Sequence, residues 1–153
     1  CTFETGDIRD KVKSLSGYDI IVLGSIGPVF GDYRATLTTL SACVKKGGIF
    51  IVDDGYIEDN SDYRHPVISK RSAVVEQIDA AGMRLIEEHI TAAGSIRESD
   101  DYIFEKLSAR CRELIRMYPE KERLFLDYIQ SQETENDVLE TRAVCSTMVI
   151  GRK

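Results

Sequence analysis

The stretch "YDIIVLGSIGPVFGDY", Tyr18 to Tyr33, decides how the chain is read. Tyr18 to Leu23 are β-branched or apolar at nearly every position, the pattern of a strand covered on both faces. The run then stops in Gly24, Ser25, Gly27 and Pro28, before any helix can begin. Small residues leave the backbone bare at the end of that strand. In a parallel α/β sheet, ligands bind outside the carboxyl ends of the strands. The same residues also suit a plain tight turn.

Working outward, Asp32 is placed to cap a helix with Leu37, Leu40 and Val44 at helical spacing. Lys45 and Lys46 then fall in its last turn, and Gly47 is its stop. "GIFIVDDGY" predicts a second buried strand that ends in two acids and a glycine. "KRSAVVEQIDAAGMRLIEEHI" repeats the grammar, with Val74, Val75, Ile78 and Ala81 on one helix face, Gly82 as stop and a strand from Met83 to Ile90. Upstream, "TFETGDIRD" reads as the end of a strand turning into a loop. Strands alternating with helices at this spacing predict an α/β fold with a mostly parallel sheet.

Residues 97–142 change character. Phe104, Leu107, Cys111, Leu114 and Tyr118 form one helical stripe, and Leu124, Phe125, Tyr128 and Ile129 form another. They predict two amphipathic helices inserted before a terminal strand, "RAVCSTMVIGRK", which returns antiparallel.

Bulk properties narrow the function. The 153 residues carry a formal charge of −6 and no run of Lys and Arg long enough to follow a phosphate backbone, which argues against nucleic acid as the main partner. The longest apolar runs fall short of the ~18 residues of a membrane span. Four scattered cysteines lack metal-ligand spacing and read as buried thiols of a cytoplasmic protein.

In order along the chain, "GDIRD", "YDIIVLGSIGPVF", "LSACVKKGGIFIVDDGY", "IDAAGMRLIEEHI" and "CSTMVIGRK" resemble the C-terminal two-thirds of a class I S-adenosylmethionine-dependent methyltransferase. The resemblance implies a Rossmann-like sheet, mostly parallel with an antiparallel last strand. It implies S-adenosylmethionine as cofactor, held by Asp7, Ile8, Gly24, Ser25 and Ile26. Asp7 matches the acid that meets the adenine amino group, and Gly24 and Ser25 lie in the loop between donor and acceptor. The family's Gly-rich donor loop and ribose acid would precede Cys1, because Gly24, Gly27 and Gly31 fit no dinucleotide fingerprint. The expectation is therefore one partial domain, residues 1–153, of a longer methyltransferase, with residues 97–142 as a lid and this fragment inactive alone.

Methyl transfer needs proximity, orientation and a base when the acceptor has a proton to lose. Asp53, Asp54 and His65 are the candidates for that chemistry, and Tyr56, Tyr128 and Gln132 for contacts to a small-molecule acceptor. Each has a plainer reading: the acids as solvated turn residues, the histidine as exposed, the tyrosines as packing. Asp59, Asp62 and His65 offer oxygen and nitrogen donors in one polar loop. A catalytic metal is not expected, since Gly24 and Ser25 stand where a further acid would be needed. A strand left at the sheet edge predicts a homodimer. The alternative function is a non-catalytic α/β module that binds a partner or dimerises through its helical insertion.

Overall fold

The structure, a computed structural model, describes residues 2–26 and 29–153. Gly27 and Pro28, read above as part of a turn, and Cys1 lie outside the described residues. The chain divides into two compact units, Cys1–Ile90 with Ser146–Lys153, and Thr91–Cys145.

The first unit is built on helix α1 (Ile8–Lys11), strand β1 (Tyr18–Gly24), helix α2 (Tyr33–Leu40), strand β2 (Val44–Tyr56), helix α3 (Arg71–Ala80), strand β3 (Met83–Ile90) and most of strand β4 (Val144–Arg152). The sheet order is β1-β2-β4-β3. β1 runs parallel to β2, with Ile20 opposite Ile49 and Gly24 opposite Asp53. β4 lies between β2 and β3 and runs antiparallel to β3, with Met83 opposite Arg152 and Ile90 opposite Ser146. Leu37 and Leu40 of α2, Val74 and Ile78 of α3, and Phe50, Val52, Met148 and Ile150 of the sheet are buried. Burying each such side chain contributes ~1.5–3 kcal/mol before entropy is counted.

Several sequence expectations are corrected here. Among the described residues no strand precedes α1; Asp7 instead caps that short helix, its carboxylate accepting from Arg9 N. α2 begins at the expected Asp32 cap, whose Oδ1 accepts from Ala35 N at 2.7 Å, but ends at Leu40. Lys45, Lys46 and Gly47 open β2 instead. Tyr18 faces Val44 while Ile20 faces Ile49, so two residues of β1 are matched by five of β2, a bulge. Gly47 supplies its left-handed residue at φ 84°. Gly48 supplies closeness: a Cβ there would stand 2.6 Å from Val44 Cγ2 and 2.7 Å from the Asp19 carbonyl oxygen. The Lys-Gly-Gly signal marks a strand irregularity, with Lys45 Nζ on Asp19 at 2.8 Å.

β1 is not covered on both faces. Leu23 is buried, while Ile20 and Val22, which share the opposite face, are 51% and 66% exposed, so that face of β1 is left uncovered. On α3, Val75 is likewise exposed rather than part of the buried face.

The second unit is a helical hairpin, α4 (Ala93–Met117) and α5 (Glu122–Thr141), joined through a 3₁₀ turn at Pro119–Lys121. It spans more than residues 97–142. Cys111 and Ser108 are buried in it, and Arg97 Nε meets Glu140 Oε2 at 2.8 Å. Tyr118, Leu124 and Tyr128, expected on the packed stripes, are exposed. No helix among the described residues is long and apolar enough to cross a membrane.

Candidate functional site

β1 and β2 end side by side, and their last residues build the site. Ser25 follows β1 in the left-handed region at φ 48°, and its N–H donates to the Asp53 carbonyl at 2.8 Å. A non-glycine residue held there costs ~1–3 kcal/mol, so the turn is fixed by what surrounds it. Gly24 shows the opposite case: a Cβ added to it would meet open space. Its bareness is not demanded by the protein's own packing.

Two concavities flank this corner. One is a cavity of about 280 Å³ over the carboxyl end of the sheet. Leu23 and Ile26 line it from β1, Tyr33 and Leu37 from α2, Val52 to Gly55 from β2, Gln77 from α3, and residues 66–69 from the following loop. The other is an open apolar groove of about 530 Å³ along β1, lined by Ile8, Ile20, Val22, Ile26, Phe30 and neighbouring residues. Ile26 and Leu23 belong to both walls.

Successive strand residues point to opposite faces: Asp54 turns to Tyr33 on the cavity side, while the Asp53 side chain is exposed and turned to Thr147 of β4. Asp53 Oδ1 accepts from Thr147 Oγ1 of β4 at 3.1 Å. Asp54 Oδ2 accepts from the Tyr33 hydroxyl at 3.0 Å, and its Oδ1 from Gly55 N at 2.7 Å. Tyr33 N donates to Gln77 Oε1 at 3.0 Å, so one residue ties α2 to both α3 and β2. Burial, then the charge and hydrogen bond of Asp54, push the Tyr33 phenol far up, and it stays a donor. Sequence reasoning missed Tyr33 and Gln77. The only signal for Tyr33 was its place directly after the Asp32 cap; Gln77 offered none.

The other sequence candidates are distributed as follows. Asp7 is exposed and paired with Arg9 at 2.6 Å. The Arg9 guanidinium and its backbone N–H hold that carboxyl at about 2. Ile8 lines the groove beside β1. Tyr56 is 2% exposed and does not line the cavity. It is sealed by the Arg71 guanidinium 5.8 Å from its ring centre, with Glu88 alongside. The acceptor-contact expectation for Tyr56 is corrected to a core position. His65 Nδ1 accepts from Val67 N at 3.3 Å and Ile68 N at 3.1 Å, so this nitrogen shapes its own loop. Tyr128 and Gln132 lie on α5 in the second unit, Gln132 Nε2 donating to Glu135 at 2.8 Å. Among the described residues, no group of three or more His, Cys, Asp or Glu is placed to hold a metal ion.

Comparison with known proteins is informative at the level of structure alone. No family model matches the chain, and no curated protein matches its sequence. A SAM-dependent methyltransferase from Geobacter sulfurreducens, solved with S-adenosyl-L-homocysteine, is similar at a TM-score of 0.73 and 11% identity, over 99% of this chain and 64% of that one. One from Thiobacillus denitrificans, with the same ligand, gives 0.70 and 14%, again over 99% and 64%. The [4+2]-cyclase SpnF gives 0.65 and 14%, over 90% of this chain and 50% of its own. The chain thus spans less than two thirds of each of these proteins. Its sheet order, its site at the strand ends and these similarities together show the fold of the class I S-adenosylmethionine-dependent methyltransferases.

Proposed function

We propose that the chain is the acceptor-side portion of an S-adenosylmethionine-dependent methyltransferase acting on a small molecule. The observation that carries this reading is the pair of concavities that share Leu23 and Ile26, one an apolar groove along β1, the other lined in part by the acidic end of β2. The groove suits a flat ring laid against Ile8 and Ile26, and open space over Gly24 admits the rest of a donor to the backbone. Its lining is apolar throughout, apart from the Tyr18 hydroxyl and the Cys43 thiol. Charged parts of the donor are then held by a longer parent chain, and this portion alone is inactive. When bound, S-adenosylmethionine supplies an electrophilic methyl group. Asp53 and Asp54 orient the acceptor and take its proton; His65, its Nδ1 already engaged, is left to the loop. The long helical hairpin serves as a lid. The free edge of β1 supports a homodimer.

SpnF, a [4+2]-cyclase of similar fold, shows that the fold hosts other reactions, so donor binding is tested first. Titration of S-adenosylhomocysteine into isotope-labelled chain should shift the amides of Ile8, Gly24, Ser25 and Ile26. A dissociation constant near ~1 mM follows from the loss of several hydrogen bonds of ~0.5–1.5 kcal/mol each relative to a full site. Micromolar affinity would overturn the partial-site reading, and unshifted amides at β1 would overturn the donor site itself.

A further inference from the structure

The segment between β2 and α3 contributes Pro66, Val67, Ile68 and Ser69 to one wall of the cavity. Its two ends are anchored. Ile57 N donates to the Ser69 carbonyl at 2.9 Å and Arg71 N to the Ile57 carbonyl at 3.0 Å, while upstream Tyr63 N donates to Ser61 Oγ at 3.1 Å. Between these anchors, residues 66–68 hold on through one atom. Val67 N and Ile68 N both donate to His65 Nδ1, at 3.3 and 3.1 Å. Among the described residues, 66–68 make no other hydrogen bond.

An imidazole nitrogen accepts only while its lone pair is free. In the uncharged ring one nitrogen carries the hydrogen and the other accepts; in the charged ring both are donors. The two amides therefore require the form with its hydrogen on Nε2. A proton arriving at Nδ1 takes the same lone pair and leaves three N–H groups facing one another. Histidine is also the side chain whose charge ordinarily changes between pH 5 and 8.

The surroundings offer the charged ring no other hold. Tyr63 lies beside it, with ring centres 6.4 Å apart. Arg64 spends its guanidinium on the carbonyls of Ser61 and Tyr63, and Lys70 its ammonium on those of Glu58 and Ser61, so two cations already belong to this loop. Asp59 is engaged by Ser72, Asp54 on the cavity wall by Tyr33 and Gly55, and Asp62 is exposed. Among the described residues, no ion pair joins His65 to a carboxylate.

We propose that His65 is a pH-operated latch on the cavity wall. Uncharged, it ties residues 66–68 into the wall; charged, it releases them, and Val67 and Ile68 no longer bound the space. The folded loop uses the uncharged ring, so the wall is ordered on the alkaline side of the His65 titration and loosens as pH falls through it. The latch acts on the cavity whatever molecule enters it and does not depend on the methyltransferase reading.

Nuclear magnetic resonance of the labelled 153-residue chain, stepped through pH 5 to 8, tests this. At the alkaline end the His65 ring should carry its hydrogen on Nε2. The Val67 and Ile68 amides should shift with the same midpoint as the ring. Their hydrogen exchange, corrected for its intrinsic pH dependence, should quicken about tenfold below that midpoint, as the loss of such bonds implies. The amides of Tyr33 and Gly55, tied to Gln77 and Asp54 on other walls, should keep their protection throughout. His65→Ala should exchange fast at these two amides at every pH. His65→Asn replaces the nitrogen with an oxygen that accepts from the same local N–H groups and does not titrate in this range, so its loop should be insensitive to pH. A hydrogen on Nδ1 at the alkaline end, or amides that ignore the ring's midpoint, would overturn the latch. So would a pH step that survives in His65→Ala, or loss of protection at Tyr33 and Gly55 with the same midpoint, which marks general unfolding.

Discussion

Glu88 shows what one side chain contributes to the ground beneath the site. It reaches from β3 to Arg71 at the start of α3, 2.7 Å away, and lies beside Tyr56 and Ser146. Burial alone raises its carboxyl, but the hydrogen bonds and charge of Arg71 and the Tyr56 phenol outweigh that and hold it below the ordinary 4.5. A carboxyl depressed in the folded state adds stability above its unfolded value and loses it as pH falls through the folded one. Glu88→Gln should therefore cost about 1–3 kcal/mol at neutral pH, and the gap to the wild type should close below the ordinary carboxylate range. Urea midpoints at stepped pH read this directly; a gap constant with pH would mean that Glu88 acts by packing alone. Such partnerships were not visible beforehand. The Asp32 cap was legible because its partner lies three residues on, whereas Tyr33 and Asp54 are separated by 21 positions and meet only through the fold.

At the scale of elements, the two glycines of "KKGG" carry the most instructive misreading. A helix stop and a strand bulge both use a left-handed glycine, so Gly47 alone does not distinguish them. Gly48 does, but only once β1 is beside it, since its contact is with Val44 and the Asp19 backbone. Gly48→Ala should thus destabilise by about 1–3 kcal/mol through overpacking. Gly82→Ala, at φ 73° with open space around it, should cost only the ~1–2 kcal/mol of a left-handed Cβ. Chemical denaturation of both variants decides the order. Equal losses would show that the bulge relaxes around an extra methyl group. Elements whose apolar period is local, α2 and α3 among them, were readable at their starts and on their buried faces.

For the whole molecule, the alternation of strands and helices was legible, and so were the acids at the end of β2. The free edge was read from the resemblance rather than from the run itself, since Tyr18–Leu23 has the composition of an inner strand. Ile20 and Val22 lie exposed on it without a Lys or Pro to blunt pairing. Purified chain should self-associate in light scattering, and Ile20→Lys should restore the monomer while Leu107→Lys on α4 leaves association unchanged. A monomeric wild type at high concentration, or rescue by Leu107→Lys alone, would move the interface away from β1. The position of β4 has a further consequence, for the order in which the molecule can assemble. β2 and β3 precede it in the chain but never pair with each other, and only β4 joins them into one sheet. During synthesis, the β1–β2 pair and the α4–α5 hairpin can each form from contiguous chain, while β3 waits for a partner made after Thr91–Cys145. Pairings that distant close late and slowly. On the ribosome the sheet is thus finished last, and an interruption before Val144 leaves β3 without its neighbour.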